Sequence, residues 1–225
     1  MIPLRDDVRS ETRAYVTYTM VGACVLVFIL QFMSELSNPS IERSIVYNFG
    51  MIPAQVLHGQ RLWTLITSMF LHGGFLHIIG NMLFLWIFGD NVEDAFGHWG
   101  YLGLYVLSGI FGSVLHALLA AGSQVPTIGA SGAISGVLGA YLILYPRARV
   151  LTLVPIFFFI RIIHLPAFLL LGFWILLQVL YGCASAPGTT GVAYFAHIGG
   201  FGVGVVLALL IRNRKRRAPV WYDIS

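Results

Sequence analysis

Three groups of polar residues stand out because they lie in or beside long apolar runs. Gly129-Ala130-Ser131-Gly132 opens one run, Ala196-His197-Ile198-Gly199-Gly200 opens another, and His72, His77 and Asn81 lie at the start of a third. Polar side chains are costly in lipid, so they serve either in helix packing or in a functional site. A serine and a histidine brought together can act as a nucleophile and its general base.

Each group taken alone also fits helix packing. A histidine beside glycines, as at His197, is commonly a hydrogen-bonded packing residue, and His77 and Asn81, four residues apart, can join helices as polar side chains. Small residues at helical spacing follow Ser131, namely Gly132, Gly136, Gly139 and Ala140. For each group by itself, packing and function both stay open.

The composition is typical of a membrane protein. Of 225 residues, 58% are hydrophobic and 10% are charged, and the mean hydropathy is +0.84. Soluble domains carry about 25% charged residues. We therefore predict an all-α, polytopic membrane protein with one membrane domain over residues 1–225. Cys24 and Cys183 give neither a disulfide framework nor a zinc spacing.

Six transmembrane helices are predicted, with both ends of the chain in the cytoplasm. Eleven of the 13 Lys and Arg residues then lie inside, and Arg43 and Arg61 lie outside. A seventh span would export the basic tail, 212–225, which is predicted to face anionic lipid and not nucleic acid. The predicted spans cover residues 15–33, 75–95, 101–121, 131–145, 165–181 and 194–211.

Four connecting segments have distinct patterns. Residues 34–71 are predicted to form an amphipathic loop in the outer interface, and a loop with three acidic residues is predicted between Asp90 and Trp99. Residues 150–160 are apolar but too short to cross, so they are placed at the interface. Residues 182–193 are small and flexible, as in a cap over a cavity or an ordinary connector.

Ser131 and His197 are predicted to lie at the same depth. Both spans run from outside to inside, and Arg147 and Arg212 mark their inner ends. Ser131 precedes Arg147 by 16 residues and His197 precedes Arg212 by 15, which is about 24 Å and about 22 Å of helix. In a core about 30 Å thick, both lie about 6–8 Å below the outer surface. Small residues on both helices allow the close approach that a serine–histidine hydrogen bond needs.

Other hydrolase chemistries find no support in the residues. The nine acidic residues lie outside the apolar runs of the spans, so the embedded aspartate pair of an intramembrane aspartyl protease is missing. The His-Glu-x-x-His motif of zincins is also absent, and the histidines form no convincing metal set. A hydrolase of this sequence would use a Ser–His dyad, without a metal or cofactor. A transporter is less favoured, because no internal repeat is found.

In residue types and order, the chain resembles the rhomboid intramembrane serine proteases over nearly its whole length. The resemblance rests on the motifs around Ser131 and His197, and on His72 followed by His77 and Asn81. It implies a six-helix core with Ser131 as nucleophile and His197 as general base. It also implies an oxyanion site made of the Asn81 side chain, His77 and the Ser131 N–H, with His72 as a supporting residue.

Two departures from the family pattern concern positioning. The first outer loop of the family commonly carries a Trp-Arg pair, whereas this chain has Arg61-Leu62-Trp63. Some members have a tyrosine one turn after the nucleophile, stacked on the catalytic histidine, and here that position is Ser135. The orientation of His197 then depends on other packing, with Tyr194 and Phe195 as candidates. The resemblance suggests substrate entry past the fifth span.

The expected function is that of an intramembrane serine endopeptidase in the cell membrane. It would cleave transmembrane helices of other membrane proteins near the outer face, through an acyl-enzyme. A substrate helix must unwind locally first, because its carbonyls are already hydrogen-bonded. The expected partners are membrane-protein substrates and the lipid bilayer, without nucleic acid or metal. The alternative is a non-catalytic relative that binds client helices in the same groove.

Overall fold

The chain folds as a bundle of apolar helices with a small antiparallel sheet at one end. A computed structural model describes residues 1–156, 159–185 and 191–215. In chain order the elements are β1 (Ile2–Asp6), α1 (Tyr15–Ser37), α2 (Pro39–Phe49), α3 (Pro53–Leu57), α4 (Thr64–Thr67), a 3₁₀ turn (Ser68–Phe70), α5 (Phe75–Phe96), α6 (His98–Leu119), α7 (Ser131–Leu144), β2 (Arg149–Ile156), β3 (Phe159–Pro166), α8 (Ala167–Ala184) and α9 (Tyr194–Lys215).

Six helices of the bundle overlap the six segments predicted as spans. Among the described residues, α1, α5, α6, α8 and Tyr194–Arg212 of α9 are long and apolar enough to cross a membrane. The sixth, α7, has only 14 residues, or about 21 Å of helix against a hydrocarbon core of about 30 Å. The predicted class, a polytopic helical membrane protein, is confirmed. Because α7 is short, one of its ends lies inside the bundle.

Helices α7 and α9 touch at their backbones. A Cβ added at Gly200 or Gly204 of α9 would overlap the backbone of Gly132 or Gly136 of α7. Lipid tails are as apolar as leucine, so association in a membrane depends on this kind of close van der Waals packing. The small residues that follow Ser131 therefore do pack helices, and they bring the first turns of α7 and α9 side by side.

The prediction of a loop between Asp90 and Trp99 is wrong. Helix α5 continues through Asp90 to Phe96, and α6 begins at His98. Only Gly97 separates them, with φ of 71°, a backbone conformation that glycine adopts easily. The three acidic residues of this region therefore lie on the last turns of a helix.

Glu93 shows why acidic residues can lie there. Its side chain is fully buried, and its carboxylate accepts hydrogen bonds from the backbone N–H groups of Val16 and Thr17 at 2.9 and 2.8 Å. The Thr17 hydroxyl also donates to it at 2.7 Å, and Nδ1 of His98 lies 2.7 Å from it. Helix N-termini carry unpaired N–H groups and partial positive charge. Glu93 thus caps α1 and fastens it to α5.

The sequence pattern predicts no strand, yet a three-stranded sheet lies beyond the C-terminal ends of α5 and α7. The strand order is β1-β2-β3, and both pairs are antiparallel. In register, Ile2 faces Leu153, and Arg149 faces Pro166. Of residues 150–160, expected at the interface as one apolar segment, 150–156 belong to β2 and 159–160 to β3, and 157–158 are outside the described residues. The sheet joins the N-terminal segment to the α7–α8 connection.

The segment predicted as an amphipathic outer loop, 34–71, is largely helical. It contains α2, α3 and α4, and an isolated bridge joins Met51 to Thr127 in the α6–α7 connection. The Arg61 guanidinium lies 5.2 Å from the Tyr47 ring and 6.0 Å from the Trp63 ring, and it donates to the Asn48 carbonyl. Arg61 therefore holds this segment together without the Trp-Arg order of the family.

Candidate active site

Ser131 and His197 are hydrogen-bonded to each other. Ser131 is the first residue of α7, and His197 lies in the first turn of α9. The Ser131 Oγ lies 2.7 Å from Nε2 of His197, whose residue is only 8% exposed. When this nitrogen carries no hydrogen, the serine hydroxyl donates to it. The arrangement is that of a nucleophile and a general base.

Gly129 shapes the backbone just before Ser131. Its φ of 124° lies in a region that residues with a side chain rarely adopt. An added Cβ would also lie 2.6 Å from Nε2 of His77 and 3.6 Å from Nδ2 of Asn81. Its backbone N–H donates to the Ser68 carbonyl at 2.9 Å. Glycine is thus required both by the turn and by the close approach of the His77 ring from α5.

His77 directs an N–H group toward this turn. The backbone N–H of Gly73 donates to Nδ1 of His77 at 3.3 Å. In a neutral imidazole whose Nδ1 accepts, the hydrogen is on Nε2. Nε2 of His77 is the atom nearest to the position that a Cβ at Gly129 would occupy. His77 therefore presents an N–H donor beside Gly129.

Asn81, one turn after His77, offers a second donor. Its Nδ2 atom is buried, and no described residue forms a hydrogen bond with it. Buried polar atoms are nearly always paired, so an unpaired one calls for an explanation. His77 and Asn81 therefore present two donor groups beside the turn at Gly129.

His72 lies behind His77. The two ring centroids are 5.2 Å apart at an interplanar angle of 67°. Nδ1 of His72 lies 3.2 Å from the Phe70 carbonyl, and its backbone N–H donates to Oε1 of Gln31 at 3.1 Å. Burial lowers the pKa of His72 to about 4, with a smaller contribution from His77. His72 is therefore neutral near pH 7, and it contacts the site through His77.

The other side of His197 is held by α8. Nδ1 of His197 lies 2.8 Å from Oε1 of Gln178, and the Trp174 ring lies 5.9 Å from the imidazole, tilted by 35°. The ring of Tyr194, one of the two candidates for orienting His197, pairs instead with Tyr181 at 5.8 Å.

Sequence reasoning missed Gln178, although a signal was present. It is the only amide or charged residue between positions 165 and 181. A polar side chain at that depth marks either helix packing or a site. Ser135, which occupies the place of the family's tyrosine, donates from Oγ to the Ser131 carbonyl at 2.5 Å and so supplies no ring.

These groups surround one cavity. Its volume is about 690 Å³, within the range of small-molecule and peptide sites. Residues from five helices, α5 to α9, line it, and they include His77, Asn81, Ser131, Trp174 and His197. Of the predicted loop 182–193, residues 191–193 lie on its wall, and residues 186–190 are outside the described residues.

Comparisons with known proteins point to one family. A family model described as "Rhomboid domain" matches residues 59–214. "RHOMBOID-like protein 5" of Arabidopsis thaliana is 37% identical over 48% of this chain and 34% of its own length. "Rhomboid protease GluP" of Bacillus subtilis (strain 168) is 32% identical over 62% of this chain and 28% of its own length. "Presenilin-associated rhomboid-like protein, mitochondrial" of Pongo abelii is 29% identical over 91% of this chain and 52% of its own length. The chain thus spans about half or less of the length of these relatives.

Proposed function

The chain belongs to the rhomboid family, and we propose that it is an intramembrane serine endopeptidase. Its substrates would be transmembrane helices of other membrane proteins, cleaved near the outer face. One observation carries the proposal, namely the 2.7 Å contact between the Ser131 Oγ and Nε2 of His197 beside a cavity. A relative named as a rhomboid protease supports it.

In the proposed reaction, His197 accepts the proton of the Ser131 hydroxyl as the oxygen attacks a peptide carbonyl. The carbon–oxygen bond forms, the peptide C–N bond breaks, and His197 returns the proton to the departing amine. Water then hydrolyses the acyl-enzyme, again with His197 as base. Neither step needs a metal or cofactor, and the absence of both stays a prediction.

Negative charge collects on the carbonyl oxygen during the attack. Nε2–H of His77, the Asn81 amide and the Ser131 backbone N–H are the proposed donors. The unpaired Nδ2 of Asn81 supports this role, since a donor fixed in advance needs no reorganisation when charge develops. His72 would fix the His77 ring and would not contact the substrate.

The proposed site lies below the outer membrane surface. Because α7 is only 14 residues long, it cannot cross the core fully, and irregular backbone at membrane depth is tolerated where it lines a cavity. Water can reach Ser131 through that cavity, as deacylation requires. A substrate helix would have to unwind there before its carbonyl could be attacked.

We also propose a multi-pass location in the cell membrane, with both ends of the chain in the cytoplasm. Arg5, Arg9 and Arg149 surround one cleft at the sheet, whereas Arg43 and Arg61 belong to the segment at the opposite end. The excess of arginine on the sheet side fits the positive-inside rule. Three relatives are named as mitochondrial, so membrane identity is tested by fractionation, and the side on which the tail lies is tested by its cysteine labelling.

The decisive experiment labels the purified protein with a fluorophosphonate probe and follows cleavage of a reconstituted transmembrane substrate. Wild type should be labelled and active, and Ser131→Ala should lose both, with turnover falling by about 10⁴-fold or more. Ser135→Ala is the matched control, since it removes a hydroxyl from the same helix and should keep the labelling. Equal labelling of wild type and Ser131→Ala would reject Ser131 as the nucleophile. A protein that binds client helices without cleaving them would be the non-catalytic alternative.

A further inference from the structure

On the side away from Ser131, the His197 imidazole has two described contacts. Both come from helix α8. Trp174 packs against the imidazole, and Gln178, one turn later, meets Nδ1 at 2.8 Å. Trp174 also contacts Phe201 of α9, with the ring centroids 6.2 Å apart. Two adjacent turns of α8 therefore fix the plane and the rotation of this ring.

We propose that Gln178 is a positioning residue that selects the reactive tautomer of His197. The inference rests on the proposed function and adds to it the residue that prepares the base. The Gln178 Oε1 accepts a hydrogen bond from Nδ1–H of His197. The single hydrogen of the neutral imidazole is then on Nδ1, and Nε2 is free to accept the Ser131 proton.

The opposite tautomer would be unreactive. With its hydrogen on Nε2, the ring would direct a donor at the Ser131 Oγ and could not take its proton. In Ser-His-Asp enzymes a carboxylate prevents this, and loss of that control lowers turnover by about 10⁴-fold. Here the partner of Nδ1 is an amide, which selects the tautomer without placing a charge at membrane depth, where charges are costly.

The titratable groups that act on His197 do not replace this partner. His77 of α5 and His116 of α6 interact with it electrostatically, and Ser131 occupies Nε2. Within the ranges that the structure describes, the ring nitrogens of His197 bond to Gln178 and Ser131 and to no carboxylate. Gln178 is thus the acceptor available to hold the hydrogen on Nδ1.

The test compares three variants in proteoliposomes, with kcat and KM measured from pH 5 to 9. Gln178→Met keeps the side-chain length without the carbonyl, and kcat should fall at least about tenfold, with KM within about twofold. Gln178→Glu keeps an acceptor at this position and should therefore retain most of the wild-type activity. Its charge would favour the protonated imidazole, which cannot act as a base, so the acid limb of the profile should move to higher pH by about one unit. Leu180→Met, on the exposed face of α8, is the control and should match wild type.

A Gln178→Met variant with wild-type kcat and pH profile would overturn the proposal. So would equal losses in Gln178→Met and Gln178→Glu with no change of profile, because these would indicate a packing role. Nitrogen-15 NMR of labelled histidine gives a readout that does not depend on turnover. The His197 signal, identified by its loss in His197→Asn, should show Nδ1–H in wild type and lose that preference in Gln178→Met. If wild type cleaves nothing, the proposed function fails while the NMR result still decides the role of Gln178.

Discussion

Asn81 and Glu93 lie on the same helix, α5, but they differ in how their buried polar atoms are hydrogen-bonded. Asn81, near the start, has a buried amide nitrogen that bonds to none of the residues the structure describes. Glu93, three turns later, is fully buried and accepts bonds from Val16 and Thr17, with Nδ1 of His98 also within bonding distance. A satisfied buried group stabilises the fold, whereas an unpaired one lowers stability. We therefore expect substitutions near the start of α5 to change activity and substitutions near its end to change stability.

The largest expected effect is on activity, at Asn81. In Asn81→Ala, turnover of a transmembrane substrate should fall by about 10²- to 10³-fold, because one oxyanion donor is lost. Its thermal midpoint should stay at or above that of wild type, since an unpaired polar atom is removed. Ile79→Ala, which shortens an exposed side chain of the same helix, is the control for substrate docking. Turnover unchanged in Asn81→Ala would remove this residue from the site.

The next effect is on stability, at Glu93. Glu93→Ala leaves the N–H groups at the start of α1 and the Thr17 hydroxyl unpaired, so we expect a loss of about 3 kcal/mol in the free energy of unfolding. The thermal midpoint should fall by about 6–12 °C. Fluorophosphonate labelling at low temperature should persist, because Ser131 and His197 are untouched. Loss of labelling in protein that is still folded would contradict the separation of the two ends.

The smallest effect concerns Asp6 in β1. Its carboxylate accepts hydrogen bonds from the Tyr141 hydroxyl and, at 2.9 Å, from Nδ2 of Asn91. Burial is the main reason that the pKa of Asp6 rises from 3.8 to about 6, and Asp90 and Asp7 raise it further while the Tyr141 bond lowers it. Between these two values the folded protein keeps a proton that the unfolded chain has released, so stability falls as pH rises through this window.

Asp6→Asn keeps an acceptor and cannot titrate. Relative to this variant, wild type should lose a few degrees of thermal midpoint between pH 4 and pH 7, with the change complete just above pH 6. Differential scanning fluorimetry in detergent across this range measures it. Parallel curves for the two proteins would show that Asp6 does not titrate in that window.

The contact between Ser131 and His197 could be predicted from the sequence because each residue lies in a short motif of small residues. Glycines beside Ser131 and His197 indicate both close helix packing and room for a site. Counting residues from Arg147 and Arg212 then placed the two side chains at one depth. The residue that meets Nδ1 of His197 was not predicted, because Gln178 stands alone in an apolar span and its partner lies on another helix.

The missed parts of the fold have a common cause. Residues 150–160 are apolar. The pairing of β2 with β1 joins residues that are more than 140 positions apart in the sequence. Local pattern does not show such pairing. The sequence predicts a loop at the acidic turns of α5 for the same reason, since the N–H groups that bond to Glu93 belong to α1.

The sheet has a mechanical consequence for α8. This helix follows β3 directly, and its first residues donate from Ala167 to the Ala148 carbonyl at 2.8 Å and from Phe168 to the Pro146 carbonyl at 3.0 Å. These bonds hold the first turn of α8 in place. A tilt of the helix would therefore move its C-terminal end most. Gln178 lies 11 residues above Ala167, a lever arm of about 17 Å, so a rotation of about 10° carries its side chain about 3 Å. That displacement exceeds what a hydrogen bond tolerates, so a tilt of this size would break the contact between Gln178 and His197.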